Sequence, residues 1–313
     1  MDLRALQQFL AVAEQGNLSG TAKLLNISQP GLTKRIRRLE AQVGAPLLER
    51  LPRGVALTVY GRALARYARL IGAQLRQADA ELEALRGGNR GQIRIGAGPS
   101  WLGDLLPRAI ARLLEDRPAV QVLVTQGFDD SLRQGLLEGH LDLAVVALAD
   151  GPAEPGLSAT PLVWDELRVV ARADHPLRAR RGATLEDLLA YPWTLTGAHT
   201  LARQRLDELF RAQGLRPPEP SVETDSVEFK FAVIRTSDHL SFHATQHLLQ
   251  PIAEGIATVD VPHSSWRRAA GLITRSAGEL GPAAQALIRN IETVCAAAEI
   301  ERSGGLPPGH ALT

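Results

Sequence analysis

Seven apolar residues between positions 64 and 85 recur in strict steps of four and three: Leu64, Ala68, Ile71, Leu75, Ala78, Leu82 and Leu85. Two apolar positions per heptad make a narrow seam, and a seam this narrow fits a partner helix better than a globular face. Charged residues flank it, among them Arg66, Arg69, Arg76, Asp79, Glu81 and Glu83. A dimerising helix is therefore expected. It splits the 313-residue chain, already long for a single core, into a small head over residues 1–58, a linker helix and hinge over 59–91, and a body over 92–300.

The head reads as helices. Leu3, Leu6, Phe9, Leu10 and Ala13 form one apolar face, and Gly16 stops the helix after Gln15. A second helix runs from Ser19 to Leu25. Asn26 tolerates a left-handed turn, and Ile27 is placed to plug the space between helices. Ser28 can cap a third helix over Gln29 to Val43, where Pro30 is accepted in the first turn and Leu32, Ile36, Leu39 and Val43 form the buried stripe. Two helices joined by so tight a turn offer the second to a DNA major groove. Residues Pro46 to Thr58 then fit a hairpin with a basic tip at Pro52, Arg53 and Gly54, which is a wing.

Charge supports that reading. Residues 1–62 carry nine Lys and Arg against four Asp and Glu, a surplus of five, although the whole chain is only +1. A basic head on a mildly acidic body suits a polyanion-binding module with a separate sensor behind it.

The body alternates strands and helices. The first series is a strand at Gln92–Ala97, a helix at Leu102–Glu115, a strand at Val120–Thr125, a helix at Asp129–Glu138 and a strand at Leu141–Ala147, which predicts a parallel sheet. The second places strands near Glu166–Ala171, Trp193–Leu195, Val222–Thr224 and Leu240–Phe242. Its helices fall near Leu185–Leu189, Leu201–Ala212 and Val227–Arg235. A last helix from Pro282 to about Ala298 precedes a Gly/Pro-rich tail, residues 301–313, expected to be disordered.

Other classes of function find little support. There is no apolar run near the ~18 residues of a bilayer span, and the N-terminal residues lack the pattern of a signal peptide, so a cytoplasmic protein without membrane contact is expected. A lone Cys295 forms no internal disulfide. His239, His243 and His247 share a spacing of four, but Leu240–Phe242 reads as strand, which breaks a common helical face for a metal. Gly96-Ala97-Gly98 lacks the third glycine of a dinucleotide fingerprint, and no Gly-x-Ser-x-Gly occurs. An exported solute-binding protein would leave the basic head unexplained, and a hydrolase or transferase would need a triad, metal site or phosphate loop. No enzyme activity and no cofactor are expected.

The N-terminal third resembles the LysR-type transcriptional regulators. The shared residues are Ala22 to Leu25, Ile27-Ser28-Gln29-Pro30, Ile36, Leu39-Glu40, Gly44, Leu47-Leu48, Arg50, Arg53, Leu57-Thr58 and Gly61. Leu106-Pro107, Gly139 to Leu143 and Asp174-His175-Pro176-Leu177 extend the likeness more loosely through the body. Leu48 stands where the family usually has Phe, and Thr21 and Tyr60 replace the usual small Ala. The resemblance implies an α/β chain with an N-terminal winged helix-turn-helix, a long dimerising linker helix, and a two-lobed effector domain like a periplasmic binding protein. Lobe one would be residues 92–161 plus 266–300, and lobe two 162–265. Implied partners are double-stranded promoter DNA, a small-molecule effector, further copies of the chain as a homodimer or homotetramer, and RNA polymerase.

Site residues follow from both lines. Gln29 and Thr33 open the recognition helix, where an amide can pair with adenine N6 and N7, and Pro30 can touch a thymine methyl. Ser28, Lys34, Arg35 and Arg38 suit phosphate, and Arg53 matches the family's minor-groove arginine. In the body, Ser100 and Trp101 follow a strand and open a helix, so their amides could receive an anion. Thr196, His199 and Thr200 form a similar corner in the other lobe. Phe128, Ala147, Ser226 and Phe242 are placed only by the family's cleft positions. A small anionic metabolite between the lobes is the expected effector.

Overall fold

The computed structural model describes every residue except 53, 86–90, 150, 152–153 and 303–313; the side chains of 80, 81, 83–85 and 300–302 are also outside the description. The expected wing-tip Arg53, residues 86–90 of the hinge and residues 303–313 of the tail thus lie outside the described residues, as does the side chain of the seam position Leu85, whereas the first two residues of the expected tail, 301–302, continue the last helix.

The head begins with α1 (Leu3–Gln15), α2 (Leu18–Leu24) and α3 (Gln29–Val43), followed by β1 (Leu48–Leu51) and β2 (Gly54–Leu57). Local chemistry fixes each boundary. Asp2 accepts from the Ala5 amide, and Gly16 ends α1 at φ +65°. Asn17 caps α2, so that helix runs from Leu18 to Leu24, one residue earlier than the Ser19 to Leu25 its sequence suggests. Asn26 adopts φ +52°, the left-handed turn its side chain tolerates, and Ser28 caps α3 by accepting from Gly31. Phe9, Val12, Ala22, Leu32, Ile36, Leu39 and Leu47 close the core. Thr21, bulkier than the family's Ala, is fully buried, and its hydroxyl donates to the Asn17 carbonyl at 2.7 Å, which removes the cost of an unpaired polar group. Glu40 ties the recognition helix to the wing by accepting from the Leu47 and Leu48 amides.

Helix α4 (Val59–Leu85) leaves the head, and its two ends differ in surroundings. Leu64 packs on the head core and Ala68 is buried within the same chain. Ile71, Leu75, Ala78 and Leu82 are exposed, Ile71 by 43% and Leu82 by 52%. The seam is thus divided: its first two residues are used in cis, and the following four face outward. Alongside, Arg69 reaches Glu138 at 3.9 Å and Leu70 touches Gly139, so the helix leans on the body.

In the body, β3 (Gly91–Ala97), β4 (Val120–Gln126) and β5 (Leu143–Ala147) are parallel, in the order β5-β3-β4. Between them lie α5 (Pro99–Leu102), α6 (Leu105–Asp116) and α7 (Asp129–Leu137). The single helix expected over Leu102–Glu115 is two, because Pro99 starts a one-turn helix that stops at Gly103 and Asp104. The strand near Glu166–Ala171 is far longer, β6 (Leu157–Arg172). Beyond it come α8 (Pro176–Ala179), α9 (Leu185–Leu188), β7 (Trp193–Leu195), α10 (Leu201–Ala212), β8 (Pro220–Glu223), α11 (Val227–Arg235) and β9 (Ser241–Ala244). Two 3-10 turns, β10 (Ile256–Thr258), β11 (Trp266–Arg275) and α12 (Pro282–Arg302) complete the chain. Strands β10 and β11 carry no clear period in the sequence and were not foreseen.

Strands β6 and β11 pair antiparallel over their shared length and pass through both lobes. Val163, Ala270 and Leu272 belong to the lobe-one core, which also buries Cys295, whereas Leu167, Val169 and Trp266 belong to that of lobe two. The cores therefore change over inside these strands, a few residues beyond the expected breaks at 161 and 265. On the lobe-one side of the changeover Leu162 forms a bulge, and Gly271 lies against it so closely that a Cβ would sit 2.1 Å from the Thr160 carbonyl oxygen. Gly271→Ala should accordingly destabilise the body by about 1–3 kcal/mol, read as a lower thermal midpoint. A midpoint equal to wild type would show that the two strands are not held this close.

Candidate functional site

Two sites stand apart in the chain. On the head, the outward side of α3 carries Gln29, Pro30, Thr33, Lys34 and Arg37, which line one shallow concavity. Their opposites Leu32, Ile36 and Leu39 are buried, so helical period alone aims the polar set at solvent. Arg35 and Arg38 are exposed but lie outside this concavity, and Ser28 spends its oxygen on the cap while its proton stays available. Arg37 is an addition to the expected set; it sits four residues after Thr33, a signal the sequence contains.

The second site lies between the lobes, at the carboxyl ends of β3, β4, β5 and β7, where open α/β sheets bind ligands. Of the expected residues, Ser100, Phe128, Ala147, Thr196, Thr200 and Phe242 line it. Three do not. Trp101 donates its amide to the Gly98 carbonyl and buries its ring in the lobe-one core, because the one-turn helix closes on itself. His199 is exposed, since the chain turns Thr200 inward to cap α10. Ser226 caps α11, accepting from the Phe229 amide and donating to Glu228, so it points along the helix. The Thr196 and Thr200 hydroxyls bond each other at 2.8 Å, and Thr200 also donates to Gly197.

The cleft is more cationic than its sequence suggests. Lys230, His243, His247 and Arg268 also line it, with Asp129 on the facing lobe. Lys230 is only 3% exposed and makes no hydrogen bond or ion pair among the described residues; burial lowers its amine to about 8, with Asp225 pulling weakly the other way. His243 and His247, 3% and 6% exposed, lie with ring centroids 5.6 Å apart. Burial holds both imidazoles below the usual histidine value, helped by the nearby Lys230 charge, while the Pro99 carbonyl opposes this at His247. The His243 Nε2 has no hydrogen-bond partner. Arg268 sits opposite Asp165 across the β6–β11 ladder and bonds it at 3.2 Å, leaving one Asp165 oxygen unpartnered. Burial raises the Asp129 carboxyl.

His239 lies before β9 and bonds Ser221 and Ser237, whereas His243 is part of that strand, so the three histidines share no helical face. The strand and the 3-10 turn after it nevertheless bring His243 and His247 together, and into the cleft. Among the described residues no three His, Cys, Asp or Glu gather as a metal would require, and no helix is long and apolar enough to cross a membrane. Lys230 was missed although its signal was present: with Val227, Phe231 and Ile234 it occupies the apolar side of α11. Arg268 had no such signal, because β11 itself was not legible.

Residues 3–62 match the bacterial regulatory helix-turn-helix proteins of the lysR family, and residues 86–296 match the LysR substrate binding domain. The chain belongs to the LysR family. This LysR-type transcriptional regulator is 35% identical to an SDS degradation transcriptional activation protein of Pseudomonas sp. (strain ATCC 19151), over 91% of its own length and 94% of that protein's. It is 32% identical to the HTH-type transcriptional regulator GalR of Pseudomonas putida, over 93% and 73%. In fold it is similar to a full-length OxyR variant from Pseudomonas aeruginosa, with a TM-score of 0.68, 22% identity and 94% of each chain covered. A likeness to full-length CbnR in complex with its target DNA has a TM-score of 0.64 and 24% identity, covering 94% of this chain and all of that one. The LysR-type regulator is thus a DNA-binding, effector-responsive protein with two working ends.

For the head, Gln29→Ala should cost about 1–3 kcal/mol of operator affinity and relax preference at one base pair, whereas Arg38→Ala should weaken all sequences alike. Binding titrations at fixed salt distinguish the two. Unchanged affinity and preference in Gln29→Ala would remove α3 as the reading helix.

Proposed function

We propose that a small anionic metabolite bound between the lobes controls how this regulator holds promoter DNA, and that the protein performs no catalysis. The observation that carries this is the convergence of Lys230, Arg268, His243 and His247 on one cleft, with the Lys230 charge unpaired. An ammonium buried without a partner is costly, and an anion arriving there removes the cost. Ligand can shift the regulator only through unequal affinity for two arrangements, and the helix leaning on lobe one through Arg69 and Leu70 gives the body a physical route to the head.

Assembly belongs to the same proposal. The exposed Ile71, Leu75, Ala78 and Leu82 stripe is the surface for a second copy, and pairing through it sets the spacing of two DNA heads. As a reader of promoter DNA the chain works in the cytoplasm.

Two measurements test this. Ile71→Glu and Leu75→Glu should each reduce the assembled mass in analytical ultracentrifugation, because pairing would bury an unmatched carboxylate. Wild-type mass in both variants would count decisively against the stripe. For the cleft, a thermal-shift screen of anionic metabolites should find a stabilising ligand, worth ~2.7 kcal/mol at a hundred times its Kd. Ser100→Ala with Thr196→Val should lose most of that shift yet keep ligand-free operator binding. An undiminished shift moves the site elsewhere.

A further inference from the structure

Of the lysine and arginine that line the cleft, Arg268 is ion-paired and Lys230 is not, among the described residues. Arg268 of β11 is taken by Asp165 of β6. His243 of β9 and His247 of the following turn are neutral imidazoles near neutral pH, by burial. Asp129 opens α7 from the facing lobe, where burial raises its carboxyl above the ordinary carboxylate value. Asp225 attracts Lys230 without forming an ion pair. The remaining lining is largely apolar and includes Phe128, Val146, Leu167, Val227 and Phe242. One unmatched cation in such walls is balanced by one negative charge. A second negative charge would itself be buried without a partner.

Resting on the reading of this cleft as the effector site, we propose that Lys230 is its specificity-determining residue, anchoring the head group of an amphiphilic monoanion. The ligand class is a carboxylate or sulfate carried on a short apolar body. The head would meet the ammonium and the unpartnered His243 Nε2, and the body would lie against Phe128 and Phe242. The direction of the pH effect follows from the same arrangement. Without ligand the amine loses its proton at about 8. A bound anion favours the ammonium and raises that value, so binding takes up a proton in the interval between. Affinity therefore falls as pH rises above about 8. The two histidines titrate below this window and leave it to Lys230.

The test is calorimetry on the full chain between pH 7.5 and 9.5, with benzoate and hexyl sulfate as probes and benzyl alcohol and inorganic phosphate as controls. Both monoanions should bind wild type, with Kd weakening roughly twentyfold across the range, as an amine near 8 requires. Lys230→Arg, which stays charged throughout, should bind with a Kd that no longer depends on pH. Lys230→Met should lose at least about tenfold at pH 7.5. A flat wild-type profile, a slope that survives in Lys230→Arg, or wild-type binding by Lys230→Met would each overturn the proposal. Preference for phosphate would overturn the monoanion assignment yet leave an anionic effector standing. Equal binding of benzyl alcohol would sink both. Binding of neither monoanion, beside another anion that shifts operator affinity, would reject this ligand class while keeping the cleft as the sensor.

Discussion

The β6–β11 ladder is the element on which the rest of the body depends. Each strand serves first one core and then the other, so the two lobes are joined by backbone hydrogen bonds and not by a loose connection. The bulge at Leu162 and the close approach at Gly271 fall just on the lobe-one side of that change, where Val163, Ala270 and Leu272 still belong to the lobe-one core. The same ladder sets Asp165 opposite Arg268. A hinge with a buried ion pair at its centre keeps the cleft polar on its floor, while strand ends and helix starts form its walls.

That floor explains why Lys230 stands out. Arg268 is ion-paired with Asp165 through one nitrogen, although its Nε has no hydrogen-bond partner, whereas the ammonium on α11 has no ion pair, and its environment makes it more easily deprotonated than an exposed lysine. The space between the lobes is also tight, with a cavity volume of ≈ 60 Å³. Helix α4 touches lobe one at Glu138 and Gly139, so it borders the same body that holds the cleft.

Much of the head was legible because its information is local. Caps, turn residues and a period of 3.6 are properties of neighbours in sequence, and Gly16, Asn26, Ser28 and Gly44 each do in the structure what their chemistry suggests. The start of α2 was misjudged by one residue, Ser19 in place of Leu18, because Asn17 caps the helix by accepting from the Gly20 amide. In the body, α10 and α11 were placed to the residue, whereas β10 and β11 were invisible. Strand β11 is buried against two neighbouring strands, β5 and β6, and its central Ala269, Ala270 and Gly271 carry no alternation.

By itself the sequence determined the division into basic head, helical linker and α/β body, and the face of α3 that looks outward, because charge, heptad spacing and helical period need no knowledge of distant residues. Only the tertiary structure decided which residues meet in the cleft. Trp101, His199 and Ser226 were good candidates by position, but each is claimed by its own turn or core. Lys230, His243, His247 and Arg268 come from separate elements and converge only when two long strands pair across the hinge. The physical reason is that a cap or turn is satisfied within a few residues of chain, whereas a charge without a partner is defined by everything folded around it.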